Sequence, residues 1–124
     1  MTERARIRGR GDAKKGVTPA AFAKLALALP GAEAGTSHGV PVWRVKKKMF
    51  ALYREKLASV GVNVDFDQRE VLIQADPETF HFTDHYRNYE IVLVRLAEVR
   101  RAELAELLEQ SWRRVAPSQL WDEL

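Results

Sequence analysis

Cysteine is absent from this chain of 124 residues. Its absence excludes disulfide bridges, thiolate metal sites and cysteine nucleophiles, and it agrees with a reducing compartment. No apolar run approaches the roughly 20 residues that cross a bilayer. The basic N-terminus also lacks the apolar stretch of a signal peptide. We therefore expect a cytoplasmic protein that has no membrane partner.

The usual motifs of catalysis and cofactor binding are missing as well. The glycines of segment 9–11 lie in a polar stretch rather than after a strand, so they do not form a phosphate loop. Ser37 and His38 are adjacent, and neighbours on a strand point apart, which argues against a catalytic pair. His81 and His85 have a spacing that suits a metal only on a helix, and segment 80–82 has an extended pattern. The sequence predicts no enzyme, no metal and no cofactor.

Positive charge is concentrated near the N-terminus. The net charge is +3, of which residues 1–16 carry about +4, residues 17–56 about +5 and residues 57–124 about −6. Residues 1–16 contain three glycines and almost no apolar side chains, so burial cannot offset the entropy of ordering them. We predict a disordered basic arm over 1–16 and a single domain over 17–124.

Apolar periodicity predicts both helices and strands in this domain. Thr18-Pro19 is typical of a helix start, and Pro30-Gly31 of its end. Alternating valines over 59–65 predict a strand buried on one face, and residues 91–96 predict a central strand. A helical stripe over 100–115 predicts the longest helix. Together these favour an α+β fold, an antiparallel sheet with helices packed on one face.

Two local details complete this prediction. Asp67 and Glu70 resemble a capping box at the start of a short helix that Asp76-Pro77 ends. A hairpin should turn at Lys46-Lys47, with Trp43 opposite Phe50. The face of Trp43 and Phe50 then includes Pro41, Val45 and Leu52, and the other face Arg44, Met49 and Tyr53.

Three stretches in order resemble the MmcQ/YjbR family. They are Leu29-Pro30-Gly31 with Gly35 to Pro41, then Phe80 to Tyr89 with its Thr83-Asp84-His85-Tyr86 segment, then Val92 to Leu96 with Trp112 and Ala116-Pro117. The resemblance covers nearly all of residues 18–120. It implies a CyaY-like (frataxin-like) α+β fold and a double-wing surface that has been assigned to DNA binding by structural analogy.

The chain departs from that family pattern in places that bear on binding. Asp84 replaces a frequent proline, Lys46-Lys47-Lys48 replaces glycines at the hairpin tip, and Ser118-Gln119 replaces basic residues. Positive charge is thus lost at one expected phosphate contact and gained at another place. The family's contact residues cannot simply be copied onto this chain.

The leading functional hypothesis is a non-enzymatic protein that binds double-stranded DNA through the basic hairpin and the N-terminal arm. A ribbon tip with lysines can follow phosphates. The alternative for the tip is a solvated turn that discourages edge pairing, and for the arm a solubilising terminus. The candidate DNA-binding residues are Arg44, Lys46, Lys47, Lys48, Arg54 and Lys56.

The second hypothesis is a module that binds a small molecule or a protein partner in a pocket between loops. Polar aromatic side chains on loops beside a sheet can line such a pocket. The alternative is structural, with histidines that tether loops by hydrogen bonds to the backbone. The candidate pocket residues are His38, Trp43, His85, Tyr86 and Tyr89.

Overall fold

The computed structural model describes residues 14–124. Its helices are α1 (Pro19–Leu27), α2 (Phe66–Ala75) and α3 (Arg101–Val115). Its strands are β1 (Glu33–Ser37), β2 (Val40–Val45), β3 (Lys48–Arg54), β4 (Ser59–Asn63), β5 (Phe80–His81) and β6 (Ile91–Arg95). Short 3₁₀ turns span Glu55–Leu57, Asp84–Tyr86 and Ser118–Glu123.

The six strands form one sheet in the order β1-β2-β3-β4-β6-β5. Every neighbouring pair is antiparallel. All three helices contribute side chains to one large core, which lies on one side of the sheet. The predicted α+β class, with helices on one face of an antiparallel sheet, is confirmed. The CyaY-like, double-wing likeness stays a prediction. We call the helix-covered side the helix face and the opposite side the far face.

The helix face is closed by the stripes that the sequence predicts. Thr18 caps α1 by accepting a hydrogen bond from the backbone N–H of Ala21. The apolar stripe of α3 consists of Leu104, Leu108 and Trp112. It packs in the same core as the predicted valines of the β4 segment, which are Val60, Val62 and Val64. The prediction that β4 is buried on one face only is wrong, because Ser59 and Gly61 on its far face are also buried. Strand β4 is therefore covered on both faces.

Helix α2 has its N-cap two residues earlier than the predicted capping box. Asp65, rather than Asp67, is its N-cap, and the Asp65 carboxylate accepts the backbone N–H of Gln68 at 2.6 Å. Asp67 instead lies in the first turn, where a carboxylate also favours a helix N-terminus. The end of the helix at Asp76 agrees with the prediction.

The β2–β3 hairpin turns at Lys46-Lys47, as predicted, but its register differs. Trp43 is opposite Ala51 and Arg44 is opposite Met49, so Phe50 is an extra residue in β3. Such a bulge reverses the alternation of the side chains that follow it. Leu52 consequently joins the far-face cluster and Tyr53 packs against the helix-face core, the reverse of the predicted faces.

The described chain is already tied to the domain before residue 17. Lys15 forms a β-bridge with Arg100, and the N–H of Gly16 donates to the carbonyl of Val99 at 2.8 Å. The sequence predicts Lys15 and Gly16 as part of the arm, whose first 13 residues lie outside the described part. No helix within residues 14–124 has the length and apolarity that a membrane crossing needs.

Candidate functional site

A concave pocket of about 400 Å³ opens on the far face. Strands β2 and β3 and the start of β6 form its floor. The turn between β1 and β2 forms one wall, and the segment between β5 and β6, which we call the 82–90 loop, forms the other. The lining residues are Ser37, His38, Val40, Val42, Met49, Leu52, Arg54, His85, Tyr86, Tyr89 and Ile91.

The floor of the pocket is apolar, and the bulge in β3 helps to build it. Because Phe50 is the extra residue, Leu52 points to the far face beside Val42 and Ile91. Gly61 of β4 makes room for it, since a Cβ at this position would lie 3.0 Å from the Leu52 side chain. The resulting surface is well suited to an apolar ligand body.

The loop wall is built around Tyr86 and Arg54. Tyr86 is only 6% exposed, and its hydroxyl oxygen accepts a hydrogen bond of 2.7 Å from Nη1 of Arg54. The Arg54 guanidinium also lies 5.6 Å from the centroid of the same ring. His85 meets Tyr86 edge to face at 4.7 Å between centroids, and Tyr89 continues the wall. A cation, an imidazole and two phenols therefore converge on the apolar floor.

Arg69 of α2 holds this wall in place. Its Nη1 donates to the carbonyls of Tyr86, Tyr89 and Ile91, at 3.1, 2.9 and 3.2 Å, and its Nη2 donates to the carbonyl of Arg87 at 3.0 Å. The guanidinium also lies 3.9 Å from the centroid of the Phe82 ring. One buried cation thus fixes the backbone of the 82–90 loop at several points.

Burial is the main cause that lowers the pKa of Arg69, and the charge of Arg87 lowers it further. An arginine nevertheless keeps its proton in a protein, and carbonyl oxygens rather than a carboxylate receive its hydrogen bonds. Sequence reasoning missed Arg69, because a single arginine in a helix of mixed polar and apolar residues has no distinctive pattern. Its partners are backbone carbonyls, which every residue has, so the sequence does not identify them.

His38 lies at the turn of the β1–β2 hairpin, with a positive φ of 51°. Gly39 follows with a φ of 80°, so the turn has positive φ at both central positions, as in a type I′ hairpin. Histidine is among the residues enriched in this region of φ, although it is strained there relative to glycine. The turn places the histidine at the pocket mouth.

The structure brings four of the five candidate pocket residues together. His38, His85, Tyr86 and Tyr89 all line the pocket. Trp43 does not, because it lies on the helix face, where its ring meets Phe22 edge to face at 5.0 Å. The assignment of Trp43 to the pocket was wrong, since odd-numbered positions of β2 point to the helices.

The candidate DNA-binding residues do not form one surface. Lys46, Lys47 and Lys48 are exposed at the hairpin tip. Arg54 lies at the opposite end of β3, about 20 Å from Lys48 at the usual rise per strand residue, and Lys56 follows it in the next turn. Arg54 is engaged with Tyr86 in the pocket, and Arg44 donates to the carbonyl of Thr36 at 3.3 Å. Only the three lysines remain as a common basic patch, which we call the lysine tip.

A serine and a histidine also meet on the far face, outside the pocket lining. Ser59 Oγ lies 3.0 Å from Nε2 of His81. The same hydroxyl donates to the carbonyl of Leu57 at 2.9 Å, which uses its one proton. His81 must therefore donate to Ser59, and it cannot act as the base that activates a serine nucleophile. Burial, and secondly the charge of Arg95, lowers the pKa of His81.

Comparison with known proteins places this architecture among relatives of unassigned function. The family model named YjbR matches residues 27–114. An uncharacterized protein of Mycobacterium bovis and two of Mycobacterium tuberculosis strains are each 34% identical over an aligned length of 96 residues, which covers 63% of this chain and 74% of the relative.

A solved structure shares the fold. The crystal structure of the Deinococcus radiodurans protein DR2400, which contains the family domain DUF419, superposes with a TM-score of 0.69 at 25% identity. The match covers 79% of this chain and 78% of that protein. The names of these relatives include no enzymatic activity.

Proposed function

This chain belongs to the YjbR family, and we propose that it is a non-enzymatic protein that binds a small molecule in the far-face pocket. The observation that carries the proposal is the pocket itself. Its volume of about 400 Å³ falls in the range of about 300–1,000 Å³ that is typical of ligand sites. An apolar floor with a few converging polar groups is also the usual composition of such sites.

Binding without chemistry agrees with the side chains around the pocket. Within the described residues, Ser37 makes no hydrogen bond to His38 or His85, although all three line the cavity. The serine–histidine contact at Ser59 and His81 lies outside the lining and has the wrong polarity for general-base catalysis. These contacts support a role of the polar groups in orienting a ligand rather than in catalysis.

A thermal-shift screen of small organic compounds tests this proposal. Because a ligand that binds only the folded state stabilises it by mass action, a true ligand raises the melting temperature in a concentration-dependent way. Met49→Trp should fill part of the cavity and abolish the shift. Val71→Trp is the matched control, since Val71 is 65% exposed on α2 and does not line the pocket. A shift that survives Met49→Trp places the ligand elsewhere and contradicts the proposal.

A second candidate function is DNA binding through the lysine tip, assisted by the N-terminal arm. The observation that favours it is three adjacent exposed lysines with no ion-pair partner among residues 14–124. Such a tip would contact phosphates, which confer affinity without base specificity. Arg44, Arg54 and Lys56 are not part of this candidate surface, because they lie elsewhere or serve other contacts.

Duplex binding measured against salt concentration tests this candidate. Replacing Lys46, Lys47 and Lys48 by glutamine should make the slope of log K against log salt shallower by about 0.9 for each lost phosphate contact, or about 2.7 in all. The control replaces Lys24, Lys56 and Arg101 by glutamine, which removes the same charge elsewhere. If both triple variants act alike, or if only deletion of residues 1–13 matters, the lysine tip is not a DNA contact.

A further inference from the structure

We infer that the pocket ligand is a small monocarboxylate with an apolar, flat body, and that Arg54 together with the Tyr86 hydroxyl receives its carboxylate. This inference rests on the proposed function, because it names the class of compound that the pocket takes. It concerns one side of the cavity, where the cation of β3 meets the wall of the 82–90 loop.

The charge of the lining favours an anion. Arg54 is the one lining residue with a full formal charge, and the lining includes no aspartate or glutamate. Three other arginines of the described chain have carboxylate partners, namely Arg87, Arg113 and Arg114. Arg44, Arg69 and Arg95 instead donate to backbone carbonyls. Arg54 is half-buried and has only a neutral phenol as its partner. A partly desolvated cation without a counter-ion favours a ligand that supplies one.

The donors of this pair are not used up by their mutual hydrogen bond. A guanidinium has five N–H groups, and the contact with Tyr86 uses one of them, on Nη1. Tyr86 accepts that bond with its oxygen, so its own O–H proton has no acceptor within residues 14–124 and can be donated to a ligand. A guanidinium fork and a hydroxyl at its side match the two oxygens of a carboxylate.

The rest of the pocket defines the body of the ligand and argues against a more highly charged head. Val42, Leu52 and Ile91 offer an apolar floor, and His85 and Tyr89 add aromatic edges. A phosphate monoester would bring a second negative charge, and the lining provides no second arginine or lysine for it. The composition therefore suits a single carboxylate on an aryl or alkyl-aryl body.

Paired probes that differ only in the head group test the inference. We would measure Kd by calorimetry for 2-naphthoate, 2-naphthamide and 2-naphthylphosphonate with the full chain. The carboxylate should bind about tenfold or more tightly than the amide, because a hydrogen bond to a charged group is stronger than one to a neutral group. Arg54→Gln should remove that difference, and Arg54→Lys should restore part of it.

The outcomes separate this inference from the proposed function. Equal binding of carboxylate and amide, or preference for the phosphonate, overturns the carboxylate inference and leaves the pocket proposal intact. If none of the three probes binds but the compound screen yields ligands that Met49→Trp blocks, the carboxylate inference alone is overturned. If neither the probes nor the screen gives a ligand, both the carboxylate inference and the pocket proposal are overturned. Tyr86→Phe keeps the ring that packs on the floor, so a weaker carboxylate preference in this variant supports the hydroxyl's role independently of loop folding.

Discussion

The two faces of the sheet use the same strands but are closed in different ways. On the helix face, Phe22, Val60, Leu104 and Trp112 are all 0% exposed within one large core. On the far face, a small cluster around Leu52 and four other buried side chains borders an open cavity. Regular helices seal the first face, whereas a turn and a loop only partly cover the second.

The difference separates the part of this domain that forms most of its core from the part that leaves an open cavity. Helical stripes present apolar side chains at every turn and leave little space between layers. The 82–90 loop instead presents backbone carbonyls and polar aromatic side chains, so it needs a cation from α2 to hold it and leaves room beneath it. The helix face accounts for most of the buried core, and the far face contains the candidate pocket.

Truncation of Trp112 provides the largest test of this comparison. Trp112→Ala should lower the free energy of unfolding by about 3–5 kcal/mol, because it leaves a closed cavity and removes the hydrogen bond of 2.8 Å from the indole to the carbonyl of Pro30. Leu52→Ala should cost less, about 2 kcal/mol, since the far face is already open and adds little cavity penalty. Urea unfolding of both variants checks the difference, and equal costs would show that the two faces are sealed alike.

Removal of the Arg69 guanidinium tests what holds the loop wall. Arg69→Met should cost about 2–3 kcal/mol, because several carbonyls lose a charged hydrogen-bond donor. Hydrogen exchange should then rise in the 82–90 loop more than in β4. Arg87→Met is the control, since its exposed ion pair with Asp84 contributes at most about 1 kcal/mol. An unchanged loop in Arg69→Met would mean that packing of Tyr86 alone fixes the wall.

Much of the helix face could be predicted from the sequence, because its elements follow a simple period. The alternating valines around β4 and the stripe of α3 each leave one apolar side to bury, and they meet in one core. The turn at Lys46-Lys47 was also predictable from the two flanking runs. Periodicity succeeds where every residue of an element obeys the same geometry.

The far face depends on exceptions to that geometry. One extra residue, Phe50, reverses the alternation of β3 and turns Leu52 into the pocket floor. Trp43 was assigned to the wrong side because the sequence does not state which face of β2 the helices cover. Loop histidines and tyrosines were recognisable as a group, but the arginine that positions them was not, since its partners are carbonyls.

The lysine tip allows the cost of backbone strain in the turn between β2 and β3 to be measured. Lys46 and Lys47 have positive φ values of 51° and 70°, a region that asparagine and glycine tolerate better. Lys46→Asn with Lys47→Gly should therefore raise the free energy of unfolding by about 1–2 kcal/mol. Lys48→Gly, in the strand itself, should lower it by about 0.5–1 kcal/mol. Thermal unfolding measures both, and a destabilised double variant would show that the lysines support the fold.

The smallest expected effect concerns pH on the far face, at His81. Burial and the charge of Arg95 lower the pKa of His81 in the folded chain, so the unfolded chain binds a proton first as the pH falls. The contribution of neutral His81 to stability is fully present above the unfolded value of about 6.5. It is lost as the pH falls through that value towards the lowered folded pKa.

Urea midpoints at pH 7.5 and 5.0 should therefore differ more for the native chain than for His81→Gln. An imidazole NMR titration checks the cause directly, because a folded pKa at or above 6.5 would contradict it. A result of that kind would mean that the Ser59–His81 contact is as open to solvent as the pocket beside it.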